Sequence, residues 1–392
     1  MSLSSLPVEA RLLLMTAGGR EMDPALTSLL DQTINWDKLA RLADREQAAP
    51  VLLARLTELR PDLDIGPALR RLAMVSAFHL RLLQRRLYET LAALNAAGIE
   101  PVLLKGAGLA HSAYSAFSER PMGDIDLLVS RGCVPAAREV LLASGWAGGS
   151  KRHSDEVYRG HQHLPPFYDA NGTPVWVELH TDFCSEGHPF RLAPEAVLAR
   201  ARRLTVEGRT IVVPEVHDQL LHACIHFAWG HLLGSGSWRT FRDVGAIAGS
   251  GQVDWEEFIA RARHSLAGSC CFWTFQLARA VAAVEVPEPV MQALRPEMSG
   301  TRMRALERHF IRSLLPSSAA CPSVRLRNLM WRLGIEPGRS GHGRAVPWAG
   351  TRRQFRIAPP KGSRLGALLG RALRHAHHAR RAPGYLMGLL RV

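Results

Sequence analysis

An α+β architecture is predicted for this 392-residue chain, and three successive stretches of differing hydrophobic period predict it. Leucines recur at three- and four-residue steps up to about residue 98, the spacing shortens toward two between residues 99 and 183, and helical spacing returns from His217 onward. The expected organisation is a helical N-terminal region (1–98), an α/β core (99–215), a helical C-terminal region (216–336) and a basic, partly flexible tail (337–392).

Taken in order, Trp36 to Leu42 and Pro50 to Leu59 have helical periodicity, and Leu69, Leu72, Leu80, Leu83, Leu87, Leu91 and Leu94 mark one long amphipathic helix from about Pro67, stopped by Gly98. Ile99 to Leu104 is a short apolar run that reads as a strand, Ala107 to Phe117 a helix of small residues, Asp124 to Val129 a second strand, and Ala136 to Ala143 a helix closed by Gly145. Beyond Gly149, His161 to Tyr168 and Pro174 to Phe183 flank the turn signal Asp169-Ala-Asn-Gly172, as hairpin strands do. In the second of these, Val175, Val177 and Leu179 alternate with Trp176, Glu178 and His180, so Glu178 and His180 share a face. Leu220 to Leu233, Trp238 to Ala248, Trp255 to His264 with Asp254 as its cap, and Cys271 to Val284 are the later helices. After about Pro287 the pattern weakens, and Ala358-Pro-Pro-Lys-Gly marks a joint before a last basic helix, Ser363 to Arg381.

The most informative residues are Gly123 to Val129, Gly-Asp-Ile-Asp-Leu-Leu-Val. Two aspartates one residue apart on a strand point to the same face, so Asp124 and Asp126 can share a divalent cation while Ile125 and Leu127 enter the core. Mg²⁺ fits, because it prefers one or two carboxylates plus substrate phosphate oxygens. Upstream, Lys105-Gly106 ends an apolar run. Lysine is rare here, four (38, 105, 151 and 361) against forty-five arginines, so a compact ammonium placed before a glycine singles out Lys105 as a neutraliser of phosphate charge. Gly106 would let the following helix offer its backbone N–H groups to an anion.

Composition narrows the classes. Apolar residues make up 47% and charged residues 21%, a globular balance. The nearest approach to a membrane span, Cys270 to Val286, is interrupted by Arg279, and Met1 to Arg20 does not read as a signal peptide. Six cysteines without Cys-x-x-Cys spacing read as reduced thiols, giving a cytoplasmic expectation. Charge is uneven: residues 337–392 hold twelve basic and no acidic residues, so removing them from the net +14 leaves +2 for the rest. Such a tail suits an anionic partner, RNA or an acidic surface, and equally a solubilising extension.

From Leu103 through Val129 the chain resembles an uncharacterised branch of the nucleotidyltransferase superfamily, whose members carry Lys-Gly, a helix with a Tyr, and Arg-x-x-x-Asp-Ile-Asp-Leu-Val; the matching residues include Lys105, Gly106, Tyr114, Arg120, Asp124 and Asp126. Weaker similarity runs from about 30 to 290. The resemblance implies a nucleotidyltransferase-like mixed sheet flanked by the helical regions. It also implies a nucleoside triphosphate donor, Mg²⁺ (or Mn²⁺) on Asp124, Asp126 and a third carboxylate from a later strand, with Glu178 the candidate and Asp182 the runner-up. Lys105, Gly106, Arg120 and His180 become nucleotide-binding candidates; His180 would hold a phosphate or orient a carboxylate. Arg120 has a competing reading as a salt bridge, and Tyr114 as a core aromatic. His222 and His226, four apart on one helix, fall on the acceptor side or in the core, and Arg239 and Asp243 read as an intrahelical pair. The acceptor is a small molecule, sugar, peptide or RNA; the rival readings are a toxin-like enzyme acting on RNA and a non-catalytic scaffold.

Overall fold

The leucine ladder predicted from Pro67 becomes the longest helix of the computed structural model, which describes residues 3, 6–149, 158–315, 321, 323–335 and 382–390. Four shorter helices precede it: α1 (Val8–Met15), α2 (Asp23–Leu30), α3 (Trp36–Glu46) and α4 (Ala49–Leu59). Asn35 caps α3 by accepting from the Lys38 N–H. The long helix α5 (Pro67–Ala96) buries Leu69, Leu80, Leu83, Leu87, Leu91 and Leu94, each worth roughly 1.5–3 kcal/mol of apolar burial. It stops at Gly98, whose φ of +73° lets Ile99 N–H reach back to Leu94 O.

The core follows as β1 (Val102–Leu103), α6 (Lys105–Ser112), β2 (Ile125–Leu128), α7 (Val134–Ala143), β3 (Trp146–Ala147), β4 (Phe167–Asp169), β5 (Trp176–His180), α8 (Pro194–Arg200), β6 (Arg202–Val206) and β7 (Arg209–Val213). One mixed sheet results, ordered β3-β4-β5-β2-β1-β7-β6. β2 lies parallel to β5 and antiparallel to β1. The hairpin expected across Asp169–Gly172 is present, but its first strand begins only at Phe167, because Pro165 and Pro166 have no N–H to give a ladder; before them only an isolated His163–His180 bridge forms. The β6–β7 hairpin is an addition to the sequence reading. Its turn, Glu207 (φ +48°) and Gly208 (φ +74°), has positive φ at both central residues, the backbone of a tight two-residue hairpin turn.

Helices return as α9 (Val216–Ile225), α10 (Ser237–Gly249), α11 (Trp255–His264), α12 (Gly268–Ala282), α13 (Glu288–Leu294), α14 (Gly300–Ser313) and α15 (Val324–Gly334). Asp254 caps α11 as expected, accepting from Glu256 and Glu257 N–H. The last three helices occupy the stretch where the pattern weakens; Ser299 and Ser323 cap α14 and α15. Most of the tail, including the expected helix Ser363 to Arg381, lies outside the described residues. No described helix is long and apolar enough to cross a membrane.

Two cores hold this together. On one face of the sheet, Ile125, Leu127, Val177 and Leu179 pack against α5 and α7. On the other side the N-terminal and C-terminal helices share a single core, tied by Trp238 Nε1 donating to Thr16 Oγ1 and by Glu46 accepting from Gly236 and Trp238 N–H. The carboxylate face of the sheet looks toward this helical body.

Residues 382–390 form a further helix that docks on α14, where the His309 ring nitrogen Nδ1 meets the Tyr385 hydroxyl at 2.8 Å. Burial, with Arg327 and Arg312 adding to it, pushes His309 down to about 4. A histidine held below its unfolded value near 6.5 contributes stability that is full at higher pH and lost as pH falls through 6.5 toward 4. The stability margin of wild type over His309→Gln should therefore shrink by about 2 kcal/mol between pH 7 and pH 5 in urea unfolding. A margin independent of pH would contradict this.

Candidate active site

Strand alternation places the chemistry. Ile125 and Leu127 enter the core, so Asp126 emerges on the opposite face, and the parallel register sets Glu178 of β5 directly beside Asp126 of β2. Asp124 stands just before β2 and lines the same cleft. Leu104 N–H donates to Asp126 O, which brings the Lys105 end of β1 against the carboxylates. Lys105 has φ +45°, the left-handed region that a non-glycine residue enters at some cost and that recurs at functional sites. The glycines after it serve close packing: a Cβ at Gly108 would sit 2.3 Å from Leu103 O, and one at Gly106 would meet Met122 Cβ at 3.0 Å.

Lys105 Nζ lies 2.6 Å from Asp126 Oδ1 and 3.8 Å from Glu178 Oε2. His180 Nε2 lies 2.8 Å from the same Asp126 oxygen and 3.6 Å from Glu178, while His163 Nε2 is 3.3 Å from Glu178. Burial opposes charge on Asp126, but the Lys105 ammonium and the His180 bond outweigh it and hold the carboxyl well below its usual range. Burial and Lys105 likewise disfavour protonated His180, yet its bonds to Asp126 and Glu178 prevail and raise it. Asp124 is different. It has no hydrogen bond or ion pair among the described residues, and burial followed by the charges of Asp126 and Glu178 pushes it up to about 7. Three carboxylates meet one lysine here.

The cleft, about 340 Å³, is walled on the far side by α9 and α10. α9 continues into a π-helical turn, His226–Gly230, a feature common at functional sites. His222, His226 and His231 line this wall, with His231 Nε2 and His226 Nε2 3.0 Å apart. Burial first holds all three below the ordinary histidine value, so they present neutral imidazoles. Backbone strain gathers around the cleft: Gln47 (φ +57°) lines it like Lys105, and Leu232 and Leu233 (φ +53° and +54°) follow His231.

A profile of a family described as an uncharacterised nucleotidyltransferase matches residues 32–283, well over half of the chain. The chain belongs to this family. A search of curated proteins gave no match. The match takes in α3 to α12, and so both the sheet and the helical wall of this nucleotidyltransferase family member.

Several expectations are redirected. Arg120 lines the cleft, but its guanidinium is forked onto Asp243, Nε to Oδ1 at 2.6 Å and Nη2 to Oδ2 at 2.8 Å, and Nη1 donates to Pro121 O. Of its two readings, the structure shows a salt bridge, with Asp243 as the partner. Tyr114 joins it, donating to Asp243 Oδ1 at 2.8 Å, which fits its reading as a core aromatic. Arg239 and Asp243 are therefore not an intrahelical pair; Arg239 Nη1 donates instead to Gln47 Oε1 at 2.6 Å. Asp182, the runner-up, bonds Arg131 and caps Phe183 N–H, and Glu178 takes the place beside Asp126. His180 sits behind the carboxylates, in position to orient them. Sequence reasoning missed His163, which a broken strand delivers, and Gln47, which carries no sequence signal because its place depends on helices far apart in the chain.

A cation suits this donor set. Asp126, Glu178 and His180 each offer one atom, all within 4.8 Å of one another, and Asp124 adds an unpartnered carboxylate. An excess of negative charge held out of water calls for a compensating cation.

Proposed function

We propose that this protein is a Mg²⁺-dependent nucleotidyltransferase that moves a nucleoside monophosphate from a nucleoside triphosphate to a hydroxyl or phosphate oxygen of an acceptor. The observation that carries the reading is the convergence of Asp124, Asp126 and Glu178 in one cleft, against the Lys105-Gly106 turn, with one lysine to balance them. Asp124, Asp126 and Glu178 would hold the ion, which when bound supplies charge stabilisation for phosphoryl oxygens. The acceptor oxygen forms a bond to the α-phosphorus, the bond to the bridging oxygen breaks, and pyrophosphate leaves. His180 keeps Asp126 oriented, Lys105 balances carboxylate and phosphate charge, and Gly108 lets α6 pack close to Leu103 of β1. Arg120 acts through position, holding the Pro121 carbonyl on the segment that leads to Asp124.

Calorimetric titration of the four nucleoside triphosphates with Mg²⁺ tests this. At least one should bind to wild type in a cation-dependent way, and Asp124→Ala/Asp126→Ala should weaken it at least ~100-fold, as expected when metal ligands are removed. Absence of cation-dependent binding for all four, or binding that survives the double substitution, overturns the reading.

A further inference from the structure

The cleft contains three cationic side chains, and two of them are already neutralised. Lys105 is paired with Asp126 and Glu178, and Arg120 with both oxygens of Asp243. Arg239 is not. It lines the same cleft, its guanidinium donates to the neutral Gln47 amide at 2.6 Å, and no carboxylate among the described residues lies within 4.0 Å of it. Of the acidic groups on the helical side whose charge reaches it, Glu46 has its oxygens engaged by Gly236 and Trp238 N–H, each at 3.0 Å, and Asp243 is held by Arg120.

A guanidinium largely removed from water without a direct ion pair is costly, and a fork of parallel N–H groups matches the oxygens of a phosphate. On the same wall the imidazoles of His222, His226 and His231 are neutral, so Arg239 is the cation of the helical side that has no carboxylate bound to it. Burial, then the nearby Arg120 charge, pulls Arg239 below its ordinary value, and the more distant charges of Glu46, Asp124 and Asp243 offset this only in part. Gln47 fixes the arm: its side chain touches Gly123, where an added Cβ would lie 2.5 Å from Nε2, while Oε1 accepts from Arg239.

We propose that Arg239 is the anion-binding arm of the cleft, taking phosphate oxygens of a polyphosphate substrate from the helical side while the carboxylate cluster lies on the sheet side. The assignment deepens the nucleotidyl-transfer reading and rests on it for the identity of the substrate, though not for the presence of the anion site.

Titration of the full chain with inorganic tripolyphosphate in the absence of divalent cations reads the site directly. Wild type should bind; Arg239→Gln should weaken binding at least ~10-fold, the loss expected for a charge-assisted fork, and Arg239→Lys should retain part of it. Arg71→Gln, on the exposed side of α5, should leave it unchanged. Thermal unfolding checks that the variants fold, and Arg239→Lys carries the test if Arg239→Gln does not. Equal affinity in wild type and the folded Arg239 variants, or no tripolyphosphate binding by wild type, overturns the proposal. The two readings separate cleanly: Arg239-dependent tripolyphosphate binding without any triphosphate nucleotide binding would remove nucleotidyl transfer and keep the anion site, whereas cation-dependent nucleotide binding indifferent to Arg239 would do the reverse.

Discussion

Neutralising Asp126 should destabilise the metal-free protein by about 3 kcal/mol, whereas neutralising Asp124 should stabilise it by about 1 kcal/mol, although both substitutions should abolish the proposed transfer. The contrast follows from their partners. Asp126 is buried and anchors the Lys105 ammonium at 2.6 Å and His180 Nε2 at 2.8 Å. Asp126→Asn keeps an acceptor oxygen but removes the charge, leaving a buried ammonium with only Glu178 at 3.8 Å. Asp124 has no such partner, and its carboxylate is held near Asp126 and Glu178 against their repulsion. Asp124→Asn removes that repulsion without stripping any cation of its bond. Urea unfolding at pH 8 with chelator present measures both signs. Mg²⁺ should then raise the stability of wild type and of neither variant. A metal-free loss on Asp124→Asn comparable with that of Asp126→Asn would refute the assignment of unequal roles.

How far this site could be read in the sequence depends on the range of the interaction. Period-two alternation is local, so the shared face of Asp124 and Asp126 and that of Glu178 and His180 were both legible, as were the long leucine helix and the Asp254 cap. The adjacency of β2 and β5 was not a property of either strand; the resemblance supplied an expectation, and the register Asp126 to Glu178 met it. Misreadings arose where one local rule was allowed to decide a tertiary pairing. The spacing of Arg239 and Asp243 suits an intrahelical pair, but α10 turns Asp243 toward Arg120 and Tyr114, some 120 residues earlier, and a buried bidentate partner prevails over the one a helical turn away. The helices after Pro287 went unread because proline interruptions diluted a periodicity that survives within each short segment.

The Arg120–Asp243 pair predicts the second large effect. Arg120→Met should cost about 3–5 kcal/mol, because it leaves the carboxylate of Asp243 buried with only the Tyr114 hydroxyl. Removing both charges together, as Arg120→Met/Asp243→Leu, should recover at least about 2 kcal/mol of that loss, since the unpaired buried charge is the costly element and not the absence of the bond. Activity should not recover in step. Arg120 Nη1 also holds the Pro121 carbonyl at 2.6 Å, three residues before Asp124, and no apolar side chain can replace that donor. The double variant should therefore regain a large part of the lost stability while its cation requirement for nucleotide binding shifts to higher Mg²⁺, because Asp124 is delivered less accurately to the cluster. A phosphate-binding Arg120 would instead weaken tripolyphosphate binding measured without cation, where a positioning role leaves affinity unchanged. Urea unfolding of the four members of the cycle, with Mg²⁺ and tripolyphosphate titrations on the stable ones, separates these outcomes; a double variant as unstable as Arg120→Met would show that the pair is not the source of the loss.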